Sequence, residues 1–467
     1  MLLPLLFIFL LQPVTSRYLY LRAPEPHAHV ANLTTSSYES SNPSVFFKQQ
    51  YENPAEVFSV LLLIGGDIVQ KAIAQLVGHQ LLGYYITPTA FSFGWVAYAF
   101  NALNSALSDG TLMPVPDIVC RVISLASGGS RENESWVIGR LVRDLELSKD
   151  LQLPERKAGF TFLTTEGLPG RPQRDKVWWS FIVFLPLQLA LAAVPVILPQ
   201  RNWAILLITA VGSLLAIITG SLPHWMEEKY ACRHDSKETF VLTRGNGHQH
   251  VFVIENGLTK VVRDKEGKDR TIGQSLNLED LAIQSPKPTR VARVILVGLA
   301  IAWVLFLITA GGIEKDTWYL LGVGGLGMVH NVYTANKTRT PGAHGVPVKE
   351  KPLNKCKRIQ AEGRGGVMSV LKKAEEERPG LGLAVLKTFF PGRLTQDEAI
   401  EWENARDSLD DRRKAFKKGQ MVSNPWTQQK TSQDGTSSGV QPSTQTEPLG
   451  TGPPMIKRTL TIPSSTI

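Results

Sequence analysis

The chain has 467 residues and a net charge of +9, and its 43% of apolar residues are bunched into long runs separated by polar, basic stretches. That bunching excludes one soluble core spread over the whole length, because a near-zero mean hydropathy here averages over two solvents. The three cysteines, Cys120, Cys232 and Cys356, are too few and odd in number for a disulfide framework and fit a reducing compartment.

Residues 1–16 read as a signal peptide, with an apolar run over 2–11 followed by Gln12, Pro13 and the small-residue series Val14, Thr15 and Ser16. An uncleaved anchor is the alternative. Residues 17–56 then form an extracytoplasmic segment in which Asn32, Leu33 and Thr34 make a glycosylation sequon on Asn32.

Region 57–107 is amphipathic or transmembrane. Its first stretch, 57–77, opens almost wholly apolar and then carries Asp67, Gln70, Lys71 and Gln75, whose spacing lines them up as one polar stripe on a helix. Asp67 and Lys71, one turn apart, can pair and so lower the cost of a charge in lipid. The stripe is therefore the candidate intramembrane site, or else the wet face of an interfacial helix. The second stretch, 86–107, is aromatic and rich in small residues.

Segment 108–176 is expected to be a cytosolic loop with two short amphipathic helices at 118–125 and 135–147. A transmembrane hairpin follows at 177–222, from helices 177–198 and 203–222, with Trp178, Trp179 and Trp203 at headgroup level and kinks at Pro186 and Pro195. Segment 223–290 reads as a small β-containing cytosolic insert, with strands at 239–243 and 250–255 around the turn Gly245, Asn246 and Gly247. His224, Cys232, His234, His248 and His250 match no compact zinc-ligand spacing and are read as surface residues, so no metal is expected.

A second hairpin spans 291–334, from helices 294–313 and 318–333. Gly322, Gly324 and Gly327 spell G-x-G-x-x-G, but without the strand and βαβ unit of a dinucleotide site they suit close helix packing, and no cofactor is expected. The tail 335–419 is basic and partly helical, at 366–377 and 398–418. Its stretch Lys349, Lys351, Lys355, Lys357 and Arg358 suits anionic lipid rather than nucleic acid. Residues 420–467, rich in Ser, Thr, Gln, Pro and Gly, are expected to be disordered.

Lys and Arg number ten between 107 and 177, eleven between 222 and 291, and 22 from Lys337 onward, against one in each short connection at 199–202 and 312–317. The positive-inside rule places all three long segments, and the C-terminus, in the cytosol. With a cleaved signal the chain crosses five times, one of the two stretches in 57–107 being interfacial or re-entrant. With an anchor it crosses seven times.

The strings FFKQQYENPAE (46–56), LLLIGGDIVQKAIAQ (61–75), SWVIGRLVRD (135–144) and TWYLLGVGGLGM (317–328) resemble an uncharacterised family of multi-pass membrane proteins of filamentous fungi. The resemblance covers about residues 17–400 and implies a multi-pass membrane protein with no activity, ligand or site attached, while the signal-like N-terminus points to the secretory pathway or plasma membrane. The expectation is an all-α polytopic membrane protein, a helical bundle with a small β-containing cytosolic insert and a partly disordered basic tail. Its expected role is a non-enzymatic organiser or recruiter of cytosolic proteins, with a transporter or channel using Asp67 and Lys71 as the alternative.

Overall fold

The computed structural model describes residue 61 and residues 64–417, apart from 82–83, 109, 149–150, 152–157, 198–200, 258, 264–268, 274, 284–285, 314, 351–358 and 361–365. The expected signal or anchor at 1–16, the sequon at Asn32, most of the basic stretch 349–358 and the tail 420–467 lie outside the described residues.

The chain runs α1 (Gly66–Leu76), β1 (Gln80–Leu81), β2 (Tyr84–Tyr85), α2 (Trp95–Leu107), β3 (Arg121–Ser124), β4 (Ser130–Glu132), α3 (Trp136–Glu146) and β5 (Gly159–Thr165). Then come α4 (Lys176–Ile197), α5 (Ala204–Gly220), α6 (Pro223–Lys229), β6 (Phe240–Thr243), β7 (His250–Glu255), β8 (Thr259–Arg263), β9 (Asp269–Gly273) and α7 (Leu278–Ile283). Last are α8 (Arg290–Gly311), α9 (Thr317–Asn336), a 3₁₀ turn (Pro341–His344), β10 (Val348–Glu350), β11 (Ile359–Gln360), α10 (Val367–Glu377), α11 (Leu381–Phe389) and α12 (Gln396–Lys417).

Two helices, α4 and α8, are long and apolar enough to cross a membrane, and a third span results if α5 and α6, bent by 41°, count as one. On α8 the inward residues Leu296, Leu299, Ala300, Trp303 and Phe306 recur at helical spacing. Val294, Ile295, Ile301, Leu305 and Ile308 are apolar yet exposed, the pattern of a helix with protein on one side and lipid on the other. α4 is unbroken through Pro186 and Pro195. α9 packs along α4 and α1, and α8 along α2.

Neither α1 nor α2 is a spanning helix. At 11 and 13 residues they reach about 16 and 20 Å, short of the ~30 Å of hydrocarbon. Each starts at a glycine with positive φ, Gly65 at 89° and Gly94 at 91°, and a Cβ on Gly94 would lie 2.6 Å from the Gly65 carbonyl carbon. Before Gly94 runs an irregular arm, residues 86–93, buried from Thr87 onward. The Thr87 N–H donates to Ser221 Oγ at the end of α5 (2.9 Å). Deeper in, Phe91 packs edge-on to Phe306 of α8, and Gln188 of α4 donates to the Phe91 carbonyl (2.7 Å). The Ala90 carbonyl accepts from Asn331 Nδ2 (3.1 Å) and Trp95 Nε1 (2.9 Å). Irregular backbone so far inside an apolar bundle is tolerable only when side chains satisfy it in this way.

Gly327 and Gly324 make room for this arm. A Cβ on Gly327 would sit 1.8 Å from the Phe91 carbonyl oxygen, and one on Gly324 2.4 Å from the Phe93 ring. Close packing through small residues is therefore their role, against an irregular segment rather than a helix.

The expectation of an all-α protein needs correction: the chain is mostly helical but carries a mixed sheet. Its order is β10-β5-β7-β6-β3-β4, with β11 on the same edge of β5 as β10. β5 and β7 are parallel and the other neighbours antiparallel. The expected small insert is thus not a module of its own. Its strands β6 and β7 occupy the middle of a sheet completed by β3, β4 and β5 from the preceding loop and by β10 and β11 from the tail. Segment 118–125, expected as an amphipathic helix, contributes β3, where Val122 faces one core and Ile123 the other. Burial on both faces produces a continuous apolar run, which periodicity cannot tell from a helix.

On one face Val122, Leu163, Leu242, Phe252 and Ile254 join the core that continues through α3 into the bundle. On the other, Phe160, Phe162, Val241 and Val253 lie beneath α10 and α11 and Trp402 of α12.

Candidate functional site

Bundle and sheet meet at the C-terminus of α1, where a helix leaves carbonyls without intrahelical partners. Side chains from three places in the sequence take the last ones. Lys229 Nζ donates to the carbonyls of Ala74 (2.8 Å) and Val77 (2.9 Å). Arg339 Nη1 donates to the Gln75 carbonyl, and His79 Nδ1 lies 2.7 Å from that of Leu76. Lys229, Arg339 and His79 are all buried.

Carboxylates answer these donors. Arg339 makes a two-pronged contact with Asp175, Nε to Oδ2 at 2.8 Å and Nη2 to Oδ1 at 2.7 Å. Asp175 in turn caps α4 by accepting from the Trp178 amide (3.0 Å). The Arg339 amide donates to Asp144 Oδ2 (2.9 Å), which also receives Nε2–H of His344 (2.9 Å). The His344 carbonyl accepts from the Tyr230 hydroxyl (2.9 Å). From α3, Arg140 donates to Asp117 (2.5 Å) and to the Ala335 carbonyl (2.5 Å), and Arg143 Nε lies 3.3 Å from Asp144.

Burial pushes the Asp144 carboxyl up, but the His344 hydrogen bond, the Arg339 amide and Arg140 outweigh it and hold it below the ordinary aspartate value. At Asp175 Arg339 likewise outweighs burial. Burial lowers His344 to about 4 against the pull of Asp144, and lowers His79 to about 4 as well. Both imidazoles are neutral at pH 7. His79 places Nε2 3.1 Å from the Gln173 carbonyl, so its single N–H serves one of two carbonyls.

Three residues of the expected stripe make contacts at this junction. Asp67 is exposed. Gln70 donates to the Leu112 carbonyl (2.7 Å), and Lys71 lies 3.5 Å from Asp117, which Arg140 shares. Gln75 is fully buried, with its amide oxygen toward Arg140 Nη2 (2.6 Å) and Nε (3.0 Å). The structure thus gathers Lys71 and Gln75 with Asp117, Arg140, Asp144, Asp175, Arg339 and His344. The sequence did not single out those six as a site, because their spacing along the chain carries no periodic signal. The one available clue was charge inside otherwise amphipathic segments, as in Arg140 and Asp144 one turn apart.

The histidines read as surface residues divide. His224 is buried on α6 near Glu227 and Glu228, whereas His250 stacks on Phe252 in β7 (5.5 Å between ring centres). Among the described residues no group of three His, Cys, Asp or Glu is placed to hold a metal. Beside the network lies a cavity of about 410 Å³, lined by Asp144, Leu151, Leu163, Arg339 and Val348 among others. No family model, curated protein or solved structure matches this chain.

Proposed function

We propose that this is a non-enzymatic, multi-pass membrane protein that holds a rigid cytosolic body against the bilayer and recruits partners to it. The observation that carries the reading is the sheet. Its strands come from three polar segments separated by two apolar hairpins, so a hairpin that leaves the sheet side must return to it. With α4 and α8 crossing, α5 and α9 bring the chain back, and the described residues cross four times. The arm 86–93 and α2 enter and leave on the sheet side without crossing, which speaks against the count of seven. The concentration of Lys and Arg on that side supports a cytosolic location for it.

The ion-pair network supports a platform because it ties α1, α3, α4, the segment after α9 and the 3₁₀ turn into one body. A buried polar network of this kind favours one register over others. Beyond it, α12 packs through Trp402 and leaves Ile400 and most of its length exposed, a surface open to cytosolic proteins. The resemblance to the fungal membrane family fits this class and adds no activity.

One observation favours the transport alternative. Within the bundle, Gln188 Oε1 and Thr334 Oγ1 are buried without a hydrogen-bond partner, as groups that meet a passing solute would be. Proximity labelling from the full-length protein, beside solute and ion flux from reconstituted vesicles, separates the two readings. Charge reversals on the exposed face of α12 should change the labelled cytosolic neighbours, and Asp67→Asn with Lys71→Met should leave flux at background. Flux that vanishes in the double variant, with neighbours unchanged by the α12 variants, would overturn the platform reading.

A further inference from the structure

We propose that the cytosolic ends of α4 and α9 form a cradle for the headgroup of an anionic phospholipid, an inference that rests on the membrane reading above. The two helices are antiparallel neighbours. Ser180 Oγ and His330 Nε2 are 2.9 Å apart, Gln188 Nε2 donates to the Val323 carbonyl (2.9 Å), and the Arg339–Asp175 pair closes the end. Because Asp175 and Arg339 turn inward, their chain neighbours Arg174, Lys176 and Lys337 are left exposed around the same point. Arg174 lies over the Trp178 ring (4.9 Å) and donates to the Gln80 carbonyl, and Lys337 Nζ lies 6.0 Å from the Tyr333 ring centre.

Among the described residues none of these three cations meets a carboxylate. Asp175, between Arg174 and Lys176 in the chain, is paired with Arg339. The surface therefore presents three uncompensated positive charges beside Trp179 and Tyr333, aromatic residues suited to the headgroup level. The outer faces of the same two helices continue apolar into the bilayer through Val183, Leu187, Val329 and Val332. Charge above an apolar lane matches an anionic headgroup with its acyl chains below, and a free phosphate would use only the upper half.

The test is retention of phosphatidylserine by the full-length protein in phosphatidylcholine nanodiscs doped with it, read by native mass spectrometry. The wild type should retain phosphatidylserine above its share of the disc. Each of Arg174→Gln, Lys176→Gln and Lys337→Gln should lower that enrichment about fivefold at low salt. The charge-keeping set Arg174→Lys, Lys176→Arg and Lys337→Arg should preserve it, which separates charge from folding. Arg201→Gln with Lys315→Gln at the opposite helix ends should not lower it. Equal retention by wild type and the triple glutamine variant overturns the cradle and leaves the platform standing. Displacement of the lipid by inorganic phosphate also overturns it, in favour of a soluble anion. Failure of the protein to enter discs at all overturns both readings.

Discussion

Arg339 and Asp175 face each other fork to fork, with two parallel hydrogen bonds of 2.8 and 2.7 Å across 164 positions of sequence. The contact joins the exit of one apolar hairpin to the entrance of the other. Arg339→Met leaves the Asp175 carboxylate and the Gln75 carbonyl without their donor, so it should destabilise the protein by about 3 kcal/mol. Asp175→Asn should cost less, since the amide oxygen still accepts from Arg339, and the double variant should cost less than the sum. Unfolding titrations in micelles would measure all three. A loss below about 0.5 kcal/mol for Arg339→Met would remove the pair from the structural account.

The buried histidines set a pH dependence. His79 and His344 are lowered from 6.5 to about 4 in the folded state, so between those values the unfolded chain binds protons that the folded one refuses. Their contribution is intact above pH 6.5 and is lost as pH falls toward 4, at up to about 1.4 kcal/mol per pH unit for each histidine. Asp144 and Asp175, held low, add to the loss in more acidic solution, below the ordinary aspartate value. Thermal melts at pH 7.5 and 5 should show the difference, and His344→Gln should flatten it. Identical melting temperatures at the two pH values would contradict neutral buried imidazoles.

Glycine spacing along α9 gives a sharper contrast. Gly327→Ala drives a methyl group to 1.8 Å from the Phe91 carbonyl oxygen, whereas a new Cβ at Gly325 would lie 4.0 Å from the Phe93 ring, in ordinary contact. The first should cost at least about 3 kcal/mol because backbone must move. The second should be neutral, or stabilising by up to about 1 kcal/mol from helix propensity. Equal stabilities for the two variants would mean that the arm does not lie against this face.

The cysteines report on both burial and sidedness. Burial pushes the Cys120 and Cys232 thiols up to about 12, so in a Cys356→Ser background neither should react with maleimide at neutral pH before unfolding. In a background without native cysteines, Arg131→Cys should label from the cytosolic side and Trp203→Cys from the other, both positions being exposed. Labelling of the two from one side would refute the crossing count.

Local spacing carried the single elements well. The run of apolar residues around 177–198 and 294–313 announces helices fit for lipid, and the β-branched run 250–255 after the Gly245-Asn246-Gly247 turn a strand, because the physics involved acts within a few residues of the chain. The same spacing misled at 118–125, where a strand buried on both faces looks like a short apolar helix, and it left 159–165 without an assignment.

From the sequence alone it followed that this chain holds helices fit for a bilayer, separated by long polar segments rich in Lys and Arg. Only the tertiary structure decided that those segments contribute to one sheet, that Lys71 lies beside Asp117, and that 86–93 is a largely buried irregular arm. The reason is separation. Desolvation of an apolar run is a local cost written in composition, while a hydrogen bond between Gln188 and Phe91 or an ion pair between Arg339 and Asp175 depends on a fold that brings together residues 97 and 164 positions apart.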